Sequence, residues 1–439
     1  MRQAALLYQA ALVAAPDSES APEAAFMGAA AFTSAGDPAG AEALLRAFID
    51  GNGTKKERGQ SLAQAYRQIA ASRELTFDPR GATTTLLEAA DNTRLGAGAR
   101  RDFALDAVRH SFALHESSLL KIARETLARL EPTPEALAEA DYLFARQQSA
   151  DDESEAPLVQ YYKANHRSAV ARPFIIRAAA QLADGQATSD NQVTWCDRAV
   201  SAFDELTAEG HTAELLELAA ACAYRNLDIE IAQKFAPLDG QRSYPHRANK
   251  LIPVFEEDLK TADAWSKKLE HLRAVYPSPL YTAISWAREA SLFDACQRGL
   301  DARPVQYLSE ADEKLLMRYD LSGEYQEFLD AQPEAKRRRE WRATRDRFVA
   351  ATVPRAVKAY ARAVLTGKEL NPEHPVIGHS LSRLARFTTT LGNGKLASIL
   401  EEPDFGYHTD AYLLGWPAKL LLPRPEEFIA LPLPAAIIP

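Results

Sequence analysis

The sequence has few cysteines and no long apolar run, and both absences restrict its class. Its 439 residues include three cysteines, Cys196, Cys222 and Cys296. An odd number at wide spacing fits neither a disulfide framework nor a zinc site, so we expect buried, reduced thiols. No apolar run approaches the ~20 residues that span a bilayer. We therefore expect no membrane span and a cytoplasmic location.

Strand signals are also scarce. β-branched residues rarely form the alternating runs that half-buried strands require, whereas alanine and other good helix formers are abundant. An apolar fraction of 46% with 25% charged residues is typical of a folded chain. The length allows two or three globular domains or one continuous superhelix of helices, and this composition favours the superhelix.

Catalytic and cofactor motifs are missing. Gly51 to Lys56 lacks the spacing of a phosphate-binding loop, and no G-x-S-x-G nucleophile elbow occurs. His110 and His115 are five residues apart and lie on different helix faces, whereas a zinc-binding helix spaces its histidines by four. We predict no catalytic residue, no cofactor and no metal, and that the chain is not an enzyme. An all-α enzyme subunit stays open as an alternative, which a deep pocket with convergent carboxylates or histidines would favour.

A repeated spacing is the main positive signal. Ala4, Tyr8, Ala11 and Pro16 follow the pattern A-x3-aromatic-x2-A-x4-P near the N-terminus. Related spacings recur at Ala29, Phe32, Gly36, Asp37, Ala41 and Leu45; at Ala199 and Phe203; at Ala220, Ala223, Leu227, Asp228 and Ala232; at Leu315, Leu316, Tyr319, Gly323 and Phe328; at Ala356, Tyr360 and Ala363; and at Leu384, Ala385, Gly392, Asn393 and Ala397. Gly36 is predicted to take a positive φ in a turn, after which Asp37 and Pro38 cap and start a helix.

These spacings resemble the tetratricopeptide repeat family, in degenerate form. The resemblance implies an all-α fold, a right-handed superhelix of antiparallel helix pairs, with a groove for a peptide or a partner helix. A non-repetitive all-α protein is the alternative fold. The resemblance also implies a function, a scaffold or adaptor that binds a partner protein as a subunit of a larger assembly.

Breaks in the pattern divide the chain. The acidic stretch from Gln147 to Glu155 predicts a linker, and Thr133 with Pro134 predicts a helix start. Further breaks lie near Gly240 and Pro375. We predict an N-terminal array over 1–150, a middle array over 156–332, a C-terminal array over 333–416 and a tail over 417–439; alternatively these breaks are long loops within one superhelix.

The tail over 417–439 is rich in both proline and aliphatic residues. Prolines at this density prevent a helix and favour an extended conformation. Because the segment is too apolar for a solvated linker, we predict that it caps its own array. Docking on another subunit is the alternative.

One basic segment is a candidate binding site. Arg338, Trp341, Arg342 and Arg345 recur at i, i+3, i+4 and i+7, on one face of a predicted helix. Arginine forks beside an aromatic ring fit phosphate, nucleic acid or an acidic peptide. The alternative is a solvated face with Trp341 turned into the core. A formal charge of −9 argues against a protein built mainly to coat nucleic acid, so nucleic-acid binding through this face is the second function hypothesis.

Overall fold

The computed structural model describes residues 1–52, 58–239, 242, 244–245, 248–301, 333–368 and 374–400. Within these ranges it contains seventeen α-helices and no strand, which confirms the all-α prediction. The first ten helices are α1 (Arg2–Ala14), α2 (Ala21–Ser34), α3 (Pro38–Gly51), α4 (Gly59–Leu75), α5 (Pro79–Asp91), α6 (Ala97–Ala113), α7 (Ser117–Arg129), α8 (Pro134–Asp151), α9 (Ala156–Asn165) and α10 (Arg172–Gly185). The others are α11 (Ser189–Asp204), α12 (Ala213–Lys234), α13 (Ala248–Val275), α14 (Pro279–Asp301), α15 (Pro333–Lys368), α16 (Pro375–Leu391) and α17 (Asn393–Leu400).

The chain forms two compact units, Met1–Gly185 and Gln186–Pro439. The stretch from Gln147 to Glu155, predicted as a linker, supplies the end of α8 and the turn before α9, and it lies inside the first unit. The array boundaries at 150, 156, 332 and 416 stay predictions. The proline-rich tail over 417–439 and the repeat unit around Leu315 lie outside the described residues.

The same type of turn occurs four times in the first unit. A residue with positive φ follows α2, α4, α6 and α8 in turn: Gly36, Phe77, His115 and Glu153, which are 41, 38 and 38 residues apart. In each case the next N–H donates to a carbonyl five residues back, as from Asp37 to Phe32 at 2.9 Å. This is the Schellman ending of a helix, and the predicted turn at Gly36 is confirmed.

The helices that follow two of these turns begin alike. Asp37 and Asp78 each precede proline at the first helical position and accept a hydrogen bond from a glycine N–H three residues on, at 2.9 Å. The aspartate satisfies a helix N–H that has no partner within the helix, and the proline has no N–H to satisfy. The N-cap predicted at Thr133 is also confirmed, with Ala136 as its donor at 3.3 Å.

Small residues set how closely the first helices approach. Ala29 and Ala41 are both buried. A Cβ atom built on Gly28 in α2 would lie 2.4 Å from Leu44 in α3 and 2.9 Å from Tyr8 in α1. Glycine is therefore required at the point where three helices meet. The buried apolar side chains form one continuous cluster from Ala5 in α1 to Ala140 in α8.

The repeat spacing from Ala220 to Ala232 falls within α12, which continues without a break from Ala213 to Lys234. Asp228 is buried within this helix and pairs with Arg288 of α14. Gly392 has a positive φ of 79° between α16 and α17, as expected of a turn.

Candidate functional site

The outer face of α1 is apolar and exposed. Ala5 and Leu12 are buried on the side that packs against α2. The opposite side, which we call the α1 outer face, presents Leu6, Leu7, Ala10, Val13 and Ala14, with Gln3 as a polar neighbour. Leu7 is 73% exposed and Val13 72%. Several large apolar side chains on one exposed helix face are typical of a surface that another element covers.

The turn after α4 exposes a second apolar pair. Phe77 is 94% exposed and has a φ of 60°, a region that bulky residues rarely occupy. Leu75, two residues earlier, is also exposed. Glycine occupies the same position in the turn after α2, without a side chain to expose. Phe77 therefore carries both backbone strain and an uncovered ring.

Two buried ionic groups in the described part of the second unit are centred on Asp228 and Asp294. In the first, Asp228 on α12 accepts hydrogen bonds from Arg288 on α14 and from Tyr224 at 3.3 Å. Burial, together with the neighbouring carboxylate, raises the pKa of Tyr224 well above its usual value. This buried ion pair joins α12 to α14.

In the second group, Asp294 on α14 joins three helices. Its Oδ1 accepts from Arg383 Nη2 on α16 at 2.6 Å, and its Oδ2 accepts from Tyr360 Oη on α15 at 3.2 Å. Arg298, one turn along α14, places Nε 3.8 Å from Oδ2, too long for a hydrogen bond. The carboxylate therefore accepts one hydrogen bond at each oxygen and lies between two guanidinium groups.

A small apolar pocket lies between α14, α15 and α16. Its lining residues are Leu280, Ala283, Ile284, Gly367, His374, Val376 and Ile377. Burial lowers the pKa of His374 below its ordinary value. Since the lining has one histidine and no carboxylate, this pocket does not supply an acid and base pair.

The predicted basic face lies on α15. Trp341 is buried and donates from Nε1 to the carbonyl of Pro245 at 3.0 Å. The Arg345 guanidinium lies 5.8 Å from the centre of the Trp341 ring and bonds to Asp346 at 2.7 Å. Arg342 is partly exposed on the same helix, and the side chain of Arg338 lies outside the described residues. The Trp341 side chain is therefore part of the core. Partner binding by the arginines stays a prediction.

Cys196, Cys222 and Cys296 are buried and none is in a disulfide, as predicted. Among the described residues, no three His, Cys, Asp or Glu side chains are grouped so that they could hold a metal ion. In the same part of the chain, no helix combines the length and hydrophobicity needed to cross a bilayer.

Sequence reasoning missed both the α1 outer face and the buried ionic groups. The near absence of charge from α1, where Arg2 is the charged side chain, was an available signal for the former. For the latter, α14 carries Arg288 and Asp294 among the many apolar and small residues of its central part. Neither signal identifies the partner residue, because Arg383 is 89 residues from Asp294.

Comparison with known proteins adds no family. No protein-family model and no curated protein matches this chain.

Proposed function

We propose that this chain is a helical-repeat scaffold that binds a partner protein through the α1 outer face. The proposed architecture of the first unit is a tetratricopeptide-like solenoid, a right-handed superhelix of helix pairs. The recurrence of the Schellman turn every 38 to 41 residues supports a repeating array of helix pairs, with a period longer than the tetratricopeptide unit of about 34 residues.

Contacts between helices two apart also support a repeating array. Arg109 on α6 binds both carboxylate oxygens of Glu139 on α8, at 2.6 and 2.9 Å. Arg129 on α7 lies 3.4 Å from Asp91 on α5. These ion pairs join α6 to α8 and α5 to α7, so they connect neighbouring helix pairs.

The observation that carries the binding proposal is the difference between α1 and the helices that follow it. Helices α2 to α8 each pack against the helix before and the helix after, whereas α1 packs against α2 and leaves its other side exposed. The α1 outer face is mainly apolar, and elsewhere in this array neighbouring helices cover the apolar faces. Its small central residues, Ala10 and Ala14, allow a second helix backbone to approach closely.

The proposed occupant is an amphipathic helix of a partner protein, held by burial of Leu6, Leu7 and Val13. Burying a side chain of this size contributes roughly 1.5 to 3 kcal/mol. Leu6 and Val13 are seven residues apart and so lie two turns apart on one side of α1, with Leu7 beside them, which is a spacing that a helix laid along α1 could contact.

The test compares capture of partners by three forms of the tagged chain in native lysate treated with nuclease. L6E/V13E places two charges on the α1 outer face, and A30E/A39E adds the same charge at exposed positions of α2 and α3. We expect a stoichiometric partner with the wild type and with A30E/A39E, and its loss with L6E/V13E. Equal capture by all three forms would contradict the proposal.

A photoreactive phenylalanine analogue in place of Leu7 identifies the occupant directly. The proposal requires a crosslink to the captured partner, mapped to a helical segment. A crosslink to a second copy of this chain, with a dimer in light scattering that L6E/V13E abolishes, would replace the partner with self-association.

A further inference from the structure

Among the described residues of the second unit, several buried nitrogen atoms around Asp294 have no hydrogen-bond partner. They are Nε and Nη2 of Arg298, Nε of Arg383 and Nε2 of His379. The guanidinium nitrogens always carry protons, so three of these four atoms are obligate donors. A buried donor without an acceptor destabilises the fold. Several such donors in one cluster indicate a missing acceptor.

The charges of the cluster also indicate a missing acceptor. Arg288 is neutralised by Asp228, whereas Arg298 and Arg383 share the one carboxylate of Asp294. The described residues of the cluster therefore leave one positive charge in excess. An uncompensated charge in a buried position favours a bound counter-ion of opposite sign.

His379 completes the cluster. It is 6% exposed and its ring lies 5.9 Å from that of Tyr360, in an edge-on arrangement. Burial and the charges of Arg383, Arg298 and Arg288 lower its pKa to about 4, against the opposing effect of Asp294. The imidazole is consequently neutral at pH 7 and, in one tautomer, adds a fourth N–H donor.

We propose that Arg298, Arg383 and His379 bind a small tetrahedral oxyanion of the phosphate class. Two guanidinium groups and an imidazole together present several N–H donors, which suits the three or four oxygens of such an ion better than the two of a carboxylate. The side chains of Arg298 and Arg383 are 33% and 15% exposed and His379 is 6% exposed, so Arg298 is the outermost of the three. This burial favours an ion or a terminal phosphate group over a chain of residues.

The ion has two sources with the same chemistry, free inorganic phosphate and the phosphate monoester of a larger molecule. Separate titrations with inorganic phosphate and with O-phosphoserine distinguish them. Tighter binding of the free ion assigns the site to inorganic phosphate, and tighter binding of the monoester assigns it to a phosphorylated ligand. This proposal is independent of the α1 outer face, which lies in the other unit.

The experiment is thermal unfolding of the full chain at pH 7 with increasing inorganic phosphate, at ionic strength held constant with KCl. We expect a saturable rise in Tm for the wild type. R298Q removes two of the donors and should abolish the rise, R298K should retain part of it, and R347Q should behave as the wild type because Arg347 is an exposed arginine of α15. An equal rise in R298Q and R347Q, or no rise in the wild type, would overturn the proposal.

A second readout does not depend on stability. Binding of an anion beside His379 offsets the surrounding positive charge, so phosphate should raise the pKa of this histidine by one unit or more, about 1.4 kcal/mol per unit. The imidazole resonances of His379 followed by NMR between pH 3 and pH 7 report this pKa. A pKa that does not change on adding phosphate would mean that water satisfies these donors.

Discussion

The carboxylate of Asp78 and the backbone of Gly81 fit each other closely. Asp78 Oδ1 accepts the Gly81 N–H at 2.9 Å, and a Cβ atom at Gly81 would lie 1.9 Å from Oδ2. Asp37 and Gly40 repeat the bond at the same distance at the start of α3. The pair explains why aspartate, proline and glycine occur together at both helix starts.

Replacing the cap should destabilise the first unit. Asp78→Ala removes the acceptor of the Gly81 N–H, and we expect the free energy of unfolding to fall by about 1 kcal/mol. Asp78→Asn keeps an acceptor and should lose only a small part of this. Urea unfolding followed by circular dichroism measures both, with Thr84→Ala on the exposed side of α5 as a control. A loss in Thr84→Ala as large as in Asp78→Ala would contradict the role of the cap.

Relieving the strain at Phe77 should stabilise the chain. Glycine adopts a positive φ without steric cost, so we expect Phe77→Gly to raise the free energy of unfolding by about 1 kcal/mol. Phe77→Ala removes the exposed ring but keeps the strained backbone, and it should give no comparable gain. If both variants stabilise equally, exposure of the ring is the cause and not the backbone. The midpoint of urea unfolding distinguishes the two.

The buried pair Arg288 and Asp228 should show strong coupling. Asp228→Asn leaves Arg288 buried without a counter-charge, which costs about 3 to 5 kcal/mol. Arg288→Met leaves Asp228 in the same position and should be similarly damaging. The double variant removes both charges and should recover much of the loss. Costs of the two single variants that simply add in the double variant would contradict a direct interaction.

Protonation of His379 should destabilise the second unit in acid. Its pKa is about 4 in the folded chain and near 6.5 when unfolded, so the unfolded state binds the proton more tightly. The contribution to stability is complete above pH 6.5 and is lost as the pH falls toward 4. The loss approaches roughly 3 kcal/mol, at about 1.4 kcal/mol for each unit of pKa.

The measurement is the difference in unfolding free energy between wild type and His379→Gln from pH 7 to pH 4, in buffer without phosphate or sulfate. The wild type should lose more stability than the variant across this range. His166→Gln, at an exposed position, should follow the wild type. Parallel curves for wild type and His379→Gln would exclude the predicted effect.

Cys296 should resist modification. Burial raises the pKa of its thiol to about 12, so very little thiolate forms at pH 8. We expect no labelling of the Cys296 peptide by iodoacetamide in the native chain, and full labelling in urea, by mass spectrometry. Rapid labelling of the native chain would indicate that α14 opens locally.

Turns and helix starts could be predicted from the sequence by itself. The turn at Gly36 and the helix start at Asp37 and Pro38 involve neighbouring residues, so their side-chain and backbone preferences decide the conformation. The same residues occur at Asp78 and Pro79, where the sequence reading overlooked them. The low strand content and the burial of the cysteines likewise followed from composition.

Only the tertiary structure determined the buried ion pairs and the exposed faces. The repeat spacing did not indicate that Asp228 would be buried beside Arg288, which is 60 residues away. The resemblance likewise gave no sign that Arg383 would lie beside Asp294. Helix caps depend on residues within one turn of the chain, whereas buried ion pairs and exposed faces depend on which distant helix packs where.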